Sequence, residues 1–276
     1  MPTKRPRPAS TSSTPGRAPR PACGCAERSA LFEPIRGFTS LQRTPQTDLK
    51  LGSVLAFVAG AANAGGFLAV GQYTSHMTGM VSSVADHLVL GELTLALAGA
   101  GAVLAFLLGA MTTAWLVNWG MRHELRSAYG LPLILEAAAL LVFGLFGAAI
   151  GFMTPVFLPL TVVLLCFIMG LQNAVITKIS QARIRTTHVT GLVTDLGIEL
   201  GKLLYVNRQP GAEPVQADRG RLRVHAQLIG CFFFGGLAGA LGFKYLGFVS
   251  TVPLALMLLL LVMRPALDDW QRLRAA

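Results

Sequence analysis

Six apolar runs, nearly free of charge, constrain this chain more than any other feature. They cover Leu51–Gly71, Leu93–Val117, Leu131–Ile150, Phe157–Ile176, Ala226–Phe243 and Gly247–Met263, and only Glu136 interrupts one of them. A helix needs roughly 20 such residues to cross about 30 Å of hydrocarbon. The whole chain is 53% hydrophobic and 13% charged over 276 residues, about half the charge of a soluble domain. The sequence therefore predicts an all-α integral membrane protein with six transmembrane helices, and the lipid bilayer as its first partner.

The flanks differ in character. Residues 1–46 are rich in Pro, Ser, Thr and Arg and read as a disordered basic tail; 47–152 and 153–266 read as two membrane repeats, and 267–276 as a cytoplasmic tail. The net charge of +10 sits between the spans without interleaved aromatics, so nucleic acid is not an expected partner. Cys23-Gly24-Cys25 is a lone C-x-C without a second pair, and no metal or other cofactor is expected. Neither G-x-S-x-G, H-E-x-x-H, a P-loop nor a dinucleotide fingerprint occurs, and the chain is not expected to be an enzyme.

An internal repeat organises the rest. Thr74-Ser75-His76-Met77-Thr78-Gly79 recurs 112 residues later as Thr186-Thr187-His188-Val189-Thr190-Gly191. Upstream, Gly60-Ala61-Ala62-Asn63-Ala64 pairs with Gly170-Leu171-Gln172-Asn173-Ala174. Each motif leads into a stretch too short to cross: Thr78 to Gly91 gives about 21 Å of helix. These stretches carry Ser82, Ser83, Asp86 and His87, and Thr194, Asp195, Glu199 and Lys202. Such segments persist at membrane depth only when buried in protein or lining water.

If both stretches re-enter, the positive-inside rule leaves only Lys244 of the 23 basic residues outside; if both cross, six fall outside. Re-entry is therefore expected, with both termini cytoplasmic in a bacterial inner (plasma) membrane. Each half then holds three spans, an odd number, and the halves form inverted repeats with two re-entrant half helices. Half helices whose N-termini meet at the midplane are a plan of secondary transporters. The expected function is a secondary transporter or channel for a small polar or anionic solute. Asn63, His76, Thr78, Gly79, Asn173, Thr187, His188, Thr190 and Gly191 are the solute-binding or pore-lining candidates, with Thr78 and Thr190 able to cap the helix starts when the site is empty. Asp86, His87, Asp195 and Glu199 are the coupling or gating candidates.

The residues Gly60 to Gly79, Gly170 to Ala174 and Thr186 to Gly191 resemble the YoaK-like family of bacterial membrane proteins over about residues 48–265. The resemblance implies a membrane protein and no particular substrate. This chain departs from the resemblance at Asn63, where many relatives carry Asp, and at Met80, where Asn commonly follows Thr-Gly, which puts cation or proton coupling at position 63 in doubt.

Plainer roles stand beside these. His76 and His188 fit neutral imidazoles bonded to irregular backbone, as well as solute contact, a proton relay or joint metal ligation. Asn63 and Asn173 fit hydrogen bonds between helices, and Gly235 with Gly239 fits close helix packing. Glu136 is expected to reach back to Arg126 or the interface, and Glu199 to pair with Lys202 on one helix face. The alternative to transport is a membrane scaffold or sensor in which the repeated motifs are structural. A transporter should converge both motifs on one cavity; a scaffold should bury them in mutual hydrogen bonds.

Overall fold

A computed structural model of the chain describes residues 45–149, 154–181, 186–208 and 213–275. The expected tail, with Cys23 and Cys25, lies outside these residues except for Pro45 and Gln46, and so does the boundary at 152–153. Among the described residues eight α-helices follow one another: α1 (Pro45–Val70), α2 (Met77–Val89), α3 (Leu93–Arg122), α4 (Leu131–Ala149), α5 (Thr154–Ile179), α6 (Val189–Leu204), α7 (Arg219–Leu246) and α8 (Thr251–Ala275), with a 3₁₀ turn, Gly247–Ser250, before α8. No strand occurs among the described residues. Gly71 and Gly91, both at positive φ, end α1 and α2 in the left-handed conformation that glycine adopts without a Cβ penalty.

Among the described residues four stretches are long and apolar enough to cross a membrane: Gln46–Val70, Leu93–Arg122, Leu158–Ile179 and Arg219–Arg272. Six were expected. The count differs because the last stretch takes in α7, the 3₁₀ turn and α8 together, and because the apolar part of α4, Leu131–Gly147, is short. Along α3, Leu97, Leu104, Leu107, Met111 and Trp115 stand exposed. A soluble monomer does not leave such a row in water, and these apolar helices mark a membrane protein. The helix α8 continues through the segment expected as a C-terminal tail.

Small residues set the packing. α1 lies against α7 and α3 against α5 as the most extensive pairings, and α4 lies against α8 and α5. A Cβ on Gly60 would strike the carbonyl oxygen of Phe232, and one on Gly235 that of Phe57; a Cβ on Gly170 would strike the carbonyl oxygen of Phe106, and one on Gly109 that of Phe167. One construction, Phe-x-x-Gly facing Phe-x-x-Gly, thus builds both seams, and backbones this close are possible only with glycine. Gly239, whose Cβ would meet Ala61 Cα at 2.5 Å, serves the packing role expected of it.

Contacts also fix direction. Ser53 meets Gln227 and Gly65 meets Phe243, so α1 and α7 run parallel; Phe106 meets Gly170 and Asn118 meets Lys178, so α3 and α5 do too. Leu55 meets Gln172 while Gly66 meets Leu165, making α1 and α5 antiparallel. Gly130 meets Val262 and Gly147 meets Phe248, making α4 and α8 antiparallel. The starts of α1, α4 and α7 therefore share one end with the finishes of α3, α5 and α8. Every described lysine and arginine except Lys244 lies toward that end.

At the same end Asp269 on α8 accepts from Arg126 N (3.0 Å), Ser127 N (2.8 Å) and Ser127 Oγ (2.7 Å). Arg126 Nη1 faces Asp268 at 3.6 Å. The expected contact of Glu136 with Arg126 is thus not made: α8 supplies the partners, and Glu136 is buried without one among the described residues.

Candidate functional site

Each repeated motif forms a short leg between a long helix and a short one. In the first, Ser75 donates to Asn63 Oδ1 from both Oγ (3.0 Å) and N–H (3.3 Å). In the second, Thr187 Oγ1 donates to Asn173 Oδ1 at 2.6 Å, and Asn173 Nδ2 donates to Met169 O at 2.9 Å. A carboxamide oxygen can accept twice and reach extended backbone, so each asparagine pins the leg that follows its helix. The expected bonds between helices are, for these two residues, bonds between helix and leg. Thr74 and Thr186, just before, are fully buried with hydroxyls that meet no partner.

After the pinned residue each leg turns into a helix at a histidine. His76 caps α2 and His188 caps α6, with similar backbone angles (φ −92°, ψ 69° and φ −82°, ψ 55°) and no side-chain bond to the first turn. Thr78 and Thr190 are exposed within that first turn, and neither supplies the cap. The histidine ring folds back over the glycine three residues on: a Cβ at Gly79 would meet His76 Nε2 at 2.8 Å, and one at Gly191 would strike the His188 ring. This gives the glycines a cause, since any larger residue displaces the ring. The burial order over Thr74 to Met80 and over Thr186 to Leu192 is identical position by position.

α2 packs on α3 and α6 on α7. Met77 and Met80 also reach the second half, packing beside Cys166 on α5. A cleft of about 670 Å³ opens instead at the basic end, lined by Asp48, Ser180, Asp195, Glu199, Lys202, Asp218, Arg221 and His225, with none of the motif residues. Among the coupling candidates, Asp195 and Glu199 belong to this cleft, whereas Asp86 is exposed on α2 and His87 Nδ1 bonds Glu92 Oε2 at 2.6 Å. No group of three or more His, Cys, Asp or Glu among the described residues is arranged for a metal ion.

Glu199, 4% exposed, accepts from Lys202 Nζ (2.8 Å), as the spacing predicts, and from the backbone N–H of Asp218 (2.7 Å). The Lys202 ammonium and then that N–H hold its carboxyl below the ordinary 4.5. Asp218 caps α7 by accepting from Gly220 N and Arg221 N (2.8 and 3.1 Å), and these bonds, Arg221 first, hold it low as well. Asp218 escaped the sequence reading although an Asp before a helix start is an N-cap signature. His225 Nε2 stands 3.9 Å from Asp195 Oδ2, and its buried Nδ1 has no partner.

Among protein families, a model described as a protein of unknown function (DUF1275) matches residues 51–263. No curated protein and no solved structure matches the chain.

Proposed function

The chain belongs to the DUF1275 family of proteins of unknown function, and we propose that it acts in the membrane as a secondary transporter or channel for a small polar or anionic solute. One observation carries this: in each half a short helix begins at an exposed histidine, with an exposed threonine two residues on and no hydrogen bond from the capping side chain to its first-turn amides. Uncapped N–H groups at the positive end of a helix dipole attract an anion or the oxygen face of a neutral solute. A pair of such starts, one per half, is how secondary transporters hold substrate.

In this proposal α1, α3, α4, α5, α7 and α8 cross the membrane. α2 and α6, with 13 and 16 residues, reach only about 20 and 24 Å and re-enter as half helices. The opposite run of α1 against α5 and of α4 against α8 supports inverted repeats, and the basic end supports a cytoplasmic placement of both termini in a bacterial inner membrane. The likeness to the YoaK-like group belongs to the same proposal.

The bonds of Asn63 to Ser75 and of Asn173 to Thr187 favour a second role. They are what a scaffold or sensor would need, and the cleft lies away from them. Flux decides between the two. The full chain in sealed liposomes is expected to pass chloride, formate or urea selectively, and the double variant His76→Ala, His188→Ala to lose most of that flux. Absence of flux for every solute, with helix content intact, would leave the scaffold.

A further inference from the structure

Glu136 is the one ionisable residue of α4. It is 0% exposed, and neither carboxylate oxygen meets a hydrogen-bond partner among the described residues. Its neighbours along the helix, Leu133, Ala137 and Leu140, belong to the apolar core.

The charged groups on the elements packed against α4 give Glu136 no hydrogen bond. On α8, Asp269 is held by Arg126 and Ser127, and Asp268 by Arg126. Arg264 has interactions of its own, and Arg272 and Arg274 are exposed beyond it. On α5, Lys178 donates to Asn118, and Cys166 clusters with Met80, Ala102 and Ala105, toward α2 and α3. Arg122 is exposed at the finish of α3, and the 3₁₀ turn holds no ionisable group. An ionised carboxylate with no partner in such surroundings is far costlier than the neutral acid.

A second orphan lies at similar depth. Gln172 on α5 is fully buried; its Nε2 donates to Leu55 O at 2.9 Å, while its Oε1 receives nothing. α5 packs on α4 and finishes where α4 starts. Glu136 lies about 8 Å into α4, and Gln172 about 11 Å before the finish of α5, at 1.5 Å per residue. A carboxylic acid has an O–H to give, and a carboxylate has none. The other half lacks this glutamine, for Ala62 stands at its repeat position.

We propose that Glu136 is a proton-binding site, carried as the carboxylic acid inside the bundle and opened to water only when α4 parts from α5 and α8. The site does not depend on transport, since a sensor of pH would use it equally.

Dicyclohexylcarbodiimide, which partitions into bilayers, tests this on the full chain in liposomes. The acid proton moves to one reagent nitrogen and the carboxyl oxygen bonds the central carbon; the acyl group then shifts to nitrogen, leaving a stable N-acylurea that holds every atom of both reactants. Peptide mass spectrometry is expected to find the adduct on Glu136 at acidic pH, several-fold less of it at alkaline pH, and none on Glu199, whose charge Lys202 holds. No adduct on Glu136 at acidic pH, an extent independent of pH, or equal modification of Glu199 would each overturn the proposal. Glu136→Gln is expected to abolish the adduct; should that variant fail to fold, the pH series on the unaltered chain decides alone.

Discussion

The two repeated legs are alike inside and unlike outside. Both bury a threonine, pin the next residue to an asparagine, and lay a histidine ring over a glycine. Beyond that, α2 meets the start of α3 at the surface, where His87 bonds Glu92, the residue before that helix. α6 meets the start of α7 through a buried carboxylate instead, because Glu199 takes the N–H of Asp218, the residue that caps α7. The shared part is what the chain needs to turn from a long helix into a short one. The difference lies where the two ends meet different surroundings, for the tie on the α6 side lines the cleft and the tie on the α2 side does not.

The largest effect is expected where the two halves are most alike. Gly60→Val and Gly170→Val each push a side chain into a backbone carbonyl, and each should cost about 3 kcal/mol or more in unfolding of the detergent-solubilised chain. Markedly unequal losses would break the equivalence of the two Phe-x-x-Gly seams. A smaller effect separates the legs: Asn173→Ala should lose about 1–3 kcal/mol and Asn63→Ala less, because the Thr187 bond is the shorter and Asn173 also donates to Met169. The reverse order, measured in the same way, would remove that asymmetry.

The smallest effect concerns pH. Glu199 has its folded value lowered, so its contribution is complete above the ordinary 4.5 and fades as pH falls through the lowered value. Hydrogen exchange is therefore expected to quicken at the finish of α6 and the start of α7 in acid while α2 is unchanged, and Glu199→Gln should reproduce the change at neutral pH. Equal quickening in α2 would show that the outer difference has no energetic content.

Local patterns carried the sequence reading a long way. The helix positions follow from apolar runs, and the doubled motif follows from chain self-comparison, so Asn63, His76, Gly79 and their counterparts could be named and their kinship tested. Adjacent signals were there and passed unnoticed. Phe57-x-x-Gly60, Phe106-x-x-Gly109, Phe167-x-x-Gly170 and Phe232-x-x-Gly235 repeat four times, yet apolar residues inside apolar runs give no contrast to the eye. What the sequence could not convey is partnership over distance. Arg126 turns to Asp268 and Asp269, more than a hundred residues on, and no spacing rule connects them; Glu136 lost its expected partner for that reason. The cleft likewise draws on the start of α1 and the start of α7, which only packing brings together.

The two glycine seams have a consequence for how the molecule is made. α1 docks on α7 and α3 on α5, so the first half's most extensive contacts are with the second half, and α1 waits for α7 to be made before its seam can close. A nascent chain halted after α4 would hold half of each seam and neither complete; the α3–α5 seam can close once α5 is made, and the α1–α7 seam only after α7.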